Sequence, residues 1–419
     1  MYLKIEQFSA RHLNLLLNAV KKFNLEVNLK TKNGKTNVAN LDYFQNFENN
    51  HEFTVIDFDK NLDFSLAHFI LSKKEQTFYL SLVFFSELLD SNWINIIGEF
   101  ILDFIKKHYK LRDFYLELDQ KSVVFKNFFG PSFQETNSSV LTFQIKEIEK
   151  YNFTDVHCHP FLEYFQNPKQ EISKWFDDNI GLLFVVGTSW EDLEETKQIS
   201  LYSDKIYKII GIHPNLIKTT DNYNNLSKYI DKNVVAIGEV GLDFYYENNP
   251  GQQEQINALL AQIEIAKSNN IAVMLHIRDK LDEFKAINEV LLIIDKFPEI
   301  NFIFHNFSTN YEKFTEIVDR KNCYFSFSGV ITFKKSVELR KIVSQTPISR
   351  ILCETDTPYL SPEPNRQVWP NTSPQIENTY QTIANLKNLT KRELSKIVYE
   401  NALKIFKVKK CLKYRLKNI

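Results

Sequence analysis

Two textures of hydrophobic patterning divide the chain. Over the first 150 residues, apolar and polar positions alternate in four short runs, Glu52 to Phe58, Thr77 to Phe85, Asp113 to Leu118 and Val140 to Ile145. Their β-branched and aromatic content predicts strands. Ser91 to Tyr109 differs: Trp93, Ile97, Phe100, Ile101, Phe104 and Ile105 recur at helical spacing behind a serine suited to cap the first turn. Strands combined with one helix predict a small α+β domain over residues 1–150. Gly130-Pro131 and the polar run Gln134 to Ser139 mark turns near its end, and the boundary is expected between 146 and 152.

From Phe153 onward, short apolar strands alternate with amphipathic helical stretches. Eight strands are expected: Phe153 to His157, Leu182 to Val186, Tyr207 to Ile212, Val234 to Gly238, Ala272 to Leu275, Asn301 to Phe304, Tyr324 to Phe327, and Arg350 to Cys353. Eight βα repeats in about 265 residues is the arithmetic of a (β/α)8 TIM barrel, an α/β fold, with an open doubly wound sheet as the alternative. The barrel domain would span 151–419.

Bulk properties narrow the possible partners. The 419 residues carry a formal net charge of -1, so no global basic field announces a nucleic-acid binder and any phosphate recognition must be local. Charges are scattered through the first twenty residues, without the layout of a signal peptide. The most apolar stretch, Trp93 to Ile105, is broken by Asn95, Glu99 and Asp103 and is far shorter than the roughly 20 residues a membrane span needs. Cys158, Cys323, Cys353 and Cys411 are too widely spaced for a zinc knuckle or a disulfide scaffold. A cytoplasmic protein without a membrane partner is expected.

The candidate chemistry lies at the strand ends. Five of the nine histidines fall in the barrel segment, each at or just beyond the C-terminal end of an expected strand. On a TIM barrel those ends converge on one mouth, so residues far apart in sequence meet there. His157 and His159 have His-x-His spacing, and alternate residues of an extended segment point the same way, so one metal can take both imidazoles. Glu239 closes the fourth strand, His276 the fifth and His305 the sixth, and Asp356 follows the eighth. A strand-end histidine is ordinarily a satisfied polar residue, and an acid there is ordinarily a helix cap. Six such residues at one mouth instead make a nitrogen and oxygen set suited to a pair of divalent ions.

The strings Phe-Thr-Asp-Val-His-Cys-His (153–159), Gly-Ile-His-Pro (211–214), Ile-Gly-Glu-Val-Gly-Leu-Asp-Phe (237–244), His-Ile-Arg (276–278), His-Asn-Phe-Ser (305–308), Phe-Ser-Gly-Val-Ile-Thr-Phe (327–333) and Glu-Thr-Asp-Thr-Pro-Tyr-Leu (354–360) stand in order along residues 152–406. They resemble the successive motifs of TatD-like hydrolases. The resemblance implies a metal-dependent phosphodiesterase acting on DNA, commonly as a 3′ to 5′ exonuclease on single strands or 3′ ends, with two magnesium, manganese or zinc ions. It further implies that His157, His159, Glu239 and Asp356 hold one ion and Glu239, His276 and His305 the other, with Glu239 bridging.

A phosphodiester is an anion and a poor electrophile, so the chemistry calls for charge neutralisation and an activated water. Asp356 is the expected base, acting with Glu239 at the catalytic centre. His213 and Arg278 are expected to bind substrate, the latter through its planar fork unless it pairs with Asp243 or Asp279. Asp243 would orient rather than react, Cys158 would pack away from the site, and Gly238, Gly241 and Pro358 would shape loops. Thr309 replaces a family glycine, and Gln367-Val368-Trp369-Pro370 changes the middle of the loop after the eighth strand. The first 150 residues match no family known to us and would recruit a protein partner or control substrate access. The alternatives are another hydrolytic specificity in the same barrel, or a non-catalytic TatD-like subunit of a larger assembly such as a phage-defence complex.

Overall fold

The computed structural model describes residues 152–408 throughout and, before them, the backbone of nine strands together with Gly98 and Ile101. The chain divides into two compact units, Met1–Glu149 with Ala384–Lys391, and Lys150–Ile383 with Arg392–Ile419.

The strands of the first unit are β1 (Leu3–Gln7), β2 (Asn28–Thr31), β3 (Gly34–Asn37), β4 (Asn50–Asp57), β5 (Ala67–Lys74), β6 (Thr77–Phe84), β7 (Phe114–Leu118), β8 (Glu135–Thr136) and β9 (Leu141–Ile145). Seven form a sheet in the order β1-β4-β5-β6-β7-β9-β8, and β2 and β3 pair separately. β6 and β7 run parallel, and the other pairs are antiparallel. The four expected strands are β4, β6, β7 and β9. β5 escaped because the two residues between it and β6, Glu75-Gln76, include no Gly or Asn of the kind that announces a tight hairpin in a sequence. β8 lies in the polar run expected to be loop. Of the helix expected over Ser91 to Tyr109, only Gly98 and Ile101 are described; both are helical and Ile101 is buried. Its remainder and Gly130-Pro131 lie outside the described residues.

In the second unit, β10 (Phe153–Cys158), β11 (Ile180–Gly187), β12 (Ile206–Ile210), β13 (Val234–Asp243), β14 (Ala272–Arg278), β15 (Phe302–Phe304), β16 (Cys323–Phe327) and β17 (Ile351–Cys353) pair in chain order, all parallel. The ends of this sheet meet. Cys158 bridges to Thr357, His159 N donates to Thr357 O at 2.7 Å, and Asp356 N donates to His157 O at 2.9 Å. The sheet is a near-closed TIM barrel rather than an open doubly wound sheet.

Helices α1 (Pro168–Asp178), α2 (Trp190–Ile199), α3 (Gln252–Asn269), α4 (Lys285–Ile294), α5 (Tyr311–Val318), α6 (Val337–Gln345), α7 (Ile376–Lys387) and α8 (Lys391–Ile405) alternate with the strands. Several starts are written into the sequence. Asn167, Ser189 and Asn310 accept the third-residue N–H of α1, α2 and α5, and Pro168 opens α1 where a missing N–H costs nothing. The expected regular alternation fails after β12, where two 3-10 turns, Pro214–Leu216 and Tyr223–Tyr229, replace the α-helix. Pro214 and the Asn-rich run that follows favour capping and turns over a long helix.

The strand periodicity carries the chain from core to site. On β14, Ala272, Met274, His276 and Arg278 share one face by the period of two. Ala272 and Met274 join a buried cluster with Val156, Phe184, Ile209, Ile303, Leu352 and Phe406, while His276 and Arg278 are progressively more exposed. The core therefore stops one residue pair below the mouth, and everything above it on that face is available for chemistry. β13 and β14 also run past their expected ends, because Val240–Asp243 pairs with Leu275–Arg278 beyond a register shift after Ile237. Glu239 and His276 consequently sit within strands. Gly241, expected in a loop, is a strand residue with φ +153°, where an added Cβ would lie 1.9 Å from the His276 carbonyl oxygen.

Candidate metal centre

All six expected ligands converge at the mouth, and Glu239 is their hub. Its Oε2 lies 3.4 Å from His157 Nε2. Its Oε1 lies 2.7 Å from His276 Nδ1, 3.4 Å from His305 Nε2 and 3.6 Å from His213 Nε2. Asp356 Oδ1 stands 3.5 Å from both His157 Nε2 and His159 Nε2, and those two nitrogens are 3.0 Å apart. The His157 and His305 rings stack with centroids 3.8 Å apart. Three overlapping donor sets result: His157, His305 and Asp356; His157, His159 and Glu239; and His213, Glu239 and His276. Relative to the expected division, His305 also stands with His157 and Asp356, and His213, expected only to bind substrate, stands among the donors.

Each ring is held from behind. His159 Nδ1 donates to Val186 O at 2.8 Å, since a carbonyl can only accept, and this bond turns Nε2 inward. His305 Nδ1 forms an ion pair with Glu354 Oε1 at 2.8 Å, without hydrogen-bond alignment. His276 Nε2 contacts Asp243 Oδ2 at 3.1 Å, which gives Asp243 the expected orienting place. His157 Nδ1 rests 3.0 Å from Met274 Sδ. Asp356 occupies the left-handed region at φ 57°, a conformation that Asp tolerates better than most residues.

Electrostatics keep the carboxylates charged. Burial alone would raise the Glu239 carboxyl, but the imidazoles of His305, His157, His213 and His276 hold it well below the usual range. Asp356 is likewise lowered, against its burial, by His159, His305 and His157. Burial and the neighbouring His305 depress His157. Burial opposes a charged His305, yet the carboxylates of Glu354 and Glu239 lift it to about 10. Two basic nitrogens aimed at each other at 3.0 Å, with carboxylate oxygens at 3.4–3.5 Å, make a poor hydrogen-bond network. They suit divalent cations, which take lone pairs from all sides.

A family model described as TatD related DNase matches residues 154–407. The chain belongs to this family. An uncharacterized metal-dependent hydrolase of Bacillus subtilis, YabD, is 30% identical over 260 residues, covering 61% of this chain and 98% of that protein. YcfH of Escherichia coli, described in the same words, is 28% identical over 263 residues, covering 61% of this chain and 95% of its own. Among solved structures, the TatD homologue YjjV of Escherichia coli superposes with a TM-score of 0.55 at 21% identity over 61% of this chain and 98% of that one. A TatD family hydrolase of Entamoeba histolytica gives 0.54 at 17% over 62% and 99%. These structures share the barrel.

Within this TatD-family hydrolase some expected roles change and some residues are new. Arg278 forms no ion pair with Asp243 or Asp279; its guanidinium lies over the Tyr245 and Tyr246 rings at 4.3 and 4.9 Å. Asp279 is occupied by the Ala286 and Ile287 N–H groups at the start of α4. Cys158 packs outward as expected, with Sγ 3.4 Å from Phe184 O. Sequence reasoning gave no role to Asp155, Met274 or Glu354. Asp155 is fully buried and accepts from Thr355 N at 3.0 Å, Thr355 Oγ1 at 2.6 Å, Ser373 Oγ at 2.6 Å and His157 N at 3.3 Å, tying β10 to the segment after β17. Burial pushes its carboxyl up to about 7 against these bonds. Asp155 and Met274 each stand two residues before an expected ligand on the same strand, and Glu354 stands two before Asp356 just beyond β17; that spacing was the available signal.

Proposed function

We propose that the barrel is a two-metal deoxyribonuclease hydrolysing phosphodiester bonds. The observation that carries this reading is the division of Glu239: one carboxylate oxygen faces His157, the other faces His276, His305 and His213. A single carboxylate so placed can serve two cations at once. When bound, such a pair would neutralise phosphate charge and lower the pKa of an attacking water.

The chain's own groups supply the rest. Asp356, held ionised and only 14% exposed, is placed to accept the proton of that water at Oδ1 or its partner oxygen. Backbone bonds hold Asp356 in position: its N–H donates to His157 O at 2.9 Å and its carbonyl accepts from Tyr359 N at 2.8 Å. Arg278, the exposed last residue of β14 with its guanidinium over the Tyr245 and Tyr246 rings, would offer its fork to non-bridging phosphate oxygens. His213, with Nδ1 accepting from Asn215 N at 3.2 Å, keeps Nε2 directed at Glu239 and completes the wall. The first 150 residues act as an accessory domain that controls access or recruits a partner. A non-catalytic subunit would have no physical use for six convergent donors. The test is metal content measured beside activity on labelled single- and double-stranded DNA. About two ions per chain, activity lost to chelator and restored by manganese, is expected. A chelator-stripped protein of full activity would overturn it.

A further inference from the structure

Two aromatic groups stand on opposite rims of the mouth. Beside β10 and β17, the rings of Tyr164, Tyr359 and Trp369 lie 5.6–6.3 Å apart, and the two phenols share a hydrogen bond of 2.8 Å. Beside β13 and β14, Arg278 lies over Tyr245 and Tyr246. Strands pair in chain order around the wall, so these two rims face each other and the Glu239 cluster lies between them.

Trp369 is 61% exposed and Tyr359 42%, large apolar surfaces that folding would ordinarily cover. Their loop is nevertheless pinned. Tyr359 N donates to Asp356 O at 2.8 Å, Asn371 Nδ2 donates to Tyr359 O at 2.7 Å and to Thr355 O at 3.2 Å, and Ser361 Oγ donates to Val368 O at 2.6 Å. A rigid, exposed aromatic surface three residues from a candidate base is preorganised for a flat ligand beside the reacting bond. Burial and the bond to Tyr359 push the Tyr164 phenol up, so that ring stays neutral and does not repel an anion.

We propose that Tyr359 and Trp369 form a stacking station for an unpaired nucleobase adjoining the scissile phosphodiester. Arg278 with its two tyrosines takes the next phosphate and base across the mouth. This rests on the nuclease reading of the same site. Unpaired bases offer both faces for stacking, whereas duplex bases already use theirs. The charge of Arg278 matches a phosphate; a neutral sugar or an apolar peptide would leave the guanidinium without a counterpart.

The experiment uses the full chain loaded with manganese and bis(4-nitrophenyl) phosphate as a reference diester. Its kcat/KM is the denominator for a single-stranded oligonucleotide, its blunt duplex and the same strand with abasic terminal residues. In Trp369→Ala the single-strand ratio is expected to fall about tenfold, and in Trp369→Phe to stay near wild type. Wild type should lose a similar factor on the abasic strand, and Trp369→Ala should lose nothing further there. A wild-type ratio in Trp369→Ala, or equal losses on base-bearing and abasic strands, would overturn the station. Loaded wild type that leaves the reference diester intact would bring down the nuclease reading itself, and the station with it.

Discussion

Loading the centre must displace a proton from His305. In the metal-free protein burial opposes the imidazolium, but Glu354 at 2.8 Å and Glu239 at 3.4 Å hold its pKa up to about 10. At neutral pH the ring is therefore charged and has no lone pair to offer. Binding a cation there releases one proton, and one linked proton tightens apparent affinity about tenfold per pH unit, or about 1.4 kcal/mol. Between pH 6.5 and 8.5 the gain is about 100-fold. The sign for metal-free stability runs the other way. A histidine pKa raised above its unfolded value of 6.5 contributes stability that is fully present below 6.5 and is lost as pH rises through about 10. Calorimetric titration of stripped protein with manganese, in two buffers of different protonation enthalpy at pH 6.5, 7.5 and 8.5, counts the protons directly. At least one is expected, since His159 and His276 are also raised, against burial, by Asp356 and by Asp243 with Glu239 respectively. Glu354→Gln should move the pH dependence to a lower window. No proton released at pH 7.5 with affinity flat across the range, or a metal-free Tm that climbs from pH 7.5 to 8.5, would refute the reasoning.

Asp356→Asn keeps an oxygen donor but no base near neutral pH, and is expected to lower kcat by about 10² to 10⁴-fold; near-normal kcat would remove Asp356 from the mechanism. Arg278→Ala should raise KM at unchanged metal content, which kinetics and metal analysis together can check. Gly241→Ala puts a Cβ 1.9 Å from a backbone oxygen at a positive φ, so denaturant unfolding should show a loss of about 3 kcal/mol or more. A fragment of residues 150–419 is expected to fold alone, because its eight strands pair only with one another; aggregation of that fragment where the full chain is soluble would indicate a shared core.

How much of this was legible depends on what kind of information each feature carries. The eight barrel strands were visible because each is a short apolar run, and all eight expectations overlap the observed strands. Their ends were not, because β13 and β14 are prolonged by pairing with each other past a register shift, a property of two segments together. The candidate donors were visible because histidine and acid types at strand ends are chemically conspicuous and the barrel gives them a common destination. Their supports were not, since Asp155 and Met274 look like ordinary strand composition and Glu354 like an ordinary acid just past a strand. Only the three-dimensional closure of β10 onto the segment after β17 makes Asp155 a tie between strands. The aromatic rims lie further still from sequence logic. Trp369 could be noticed as a departure from the family pattern, but its meaning depends on Asn371, Ser361 and Asp356 holding the loop beside the site. The features hardest to read from composition are thus those that select a substrate. The family resemblance speaks for the ligands, and the loop geometry distinguishes this barrel's mouth.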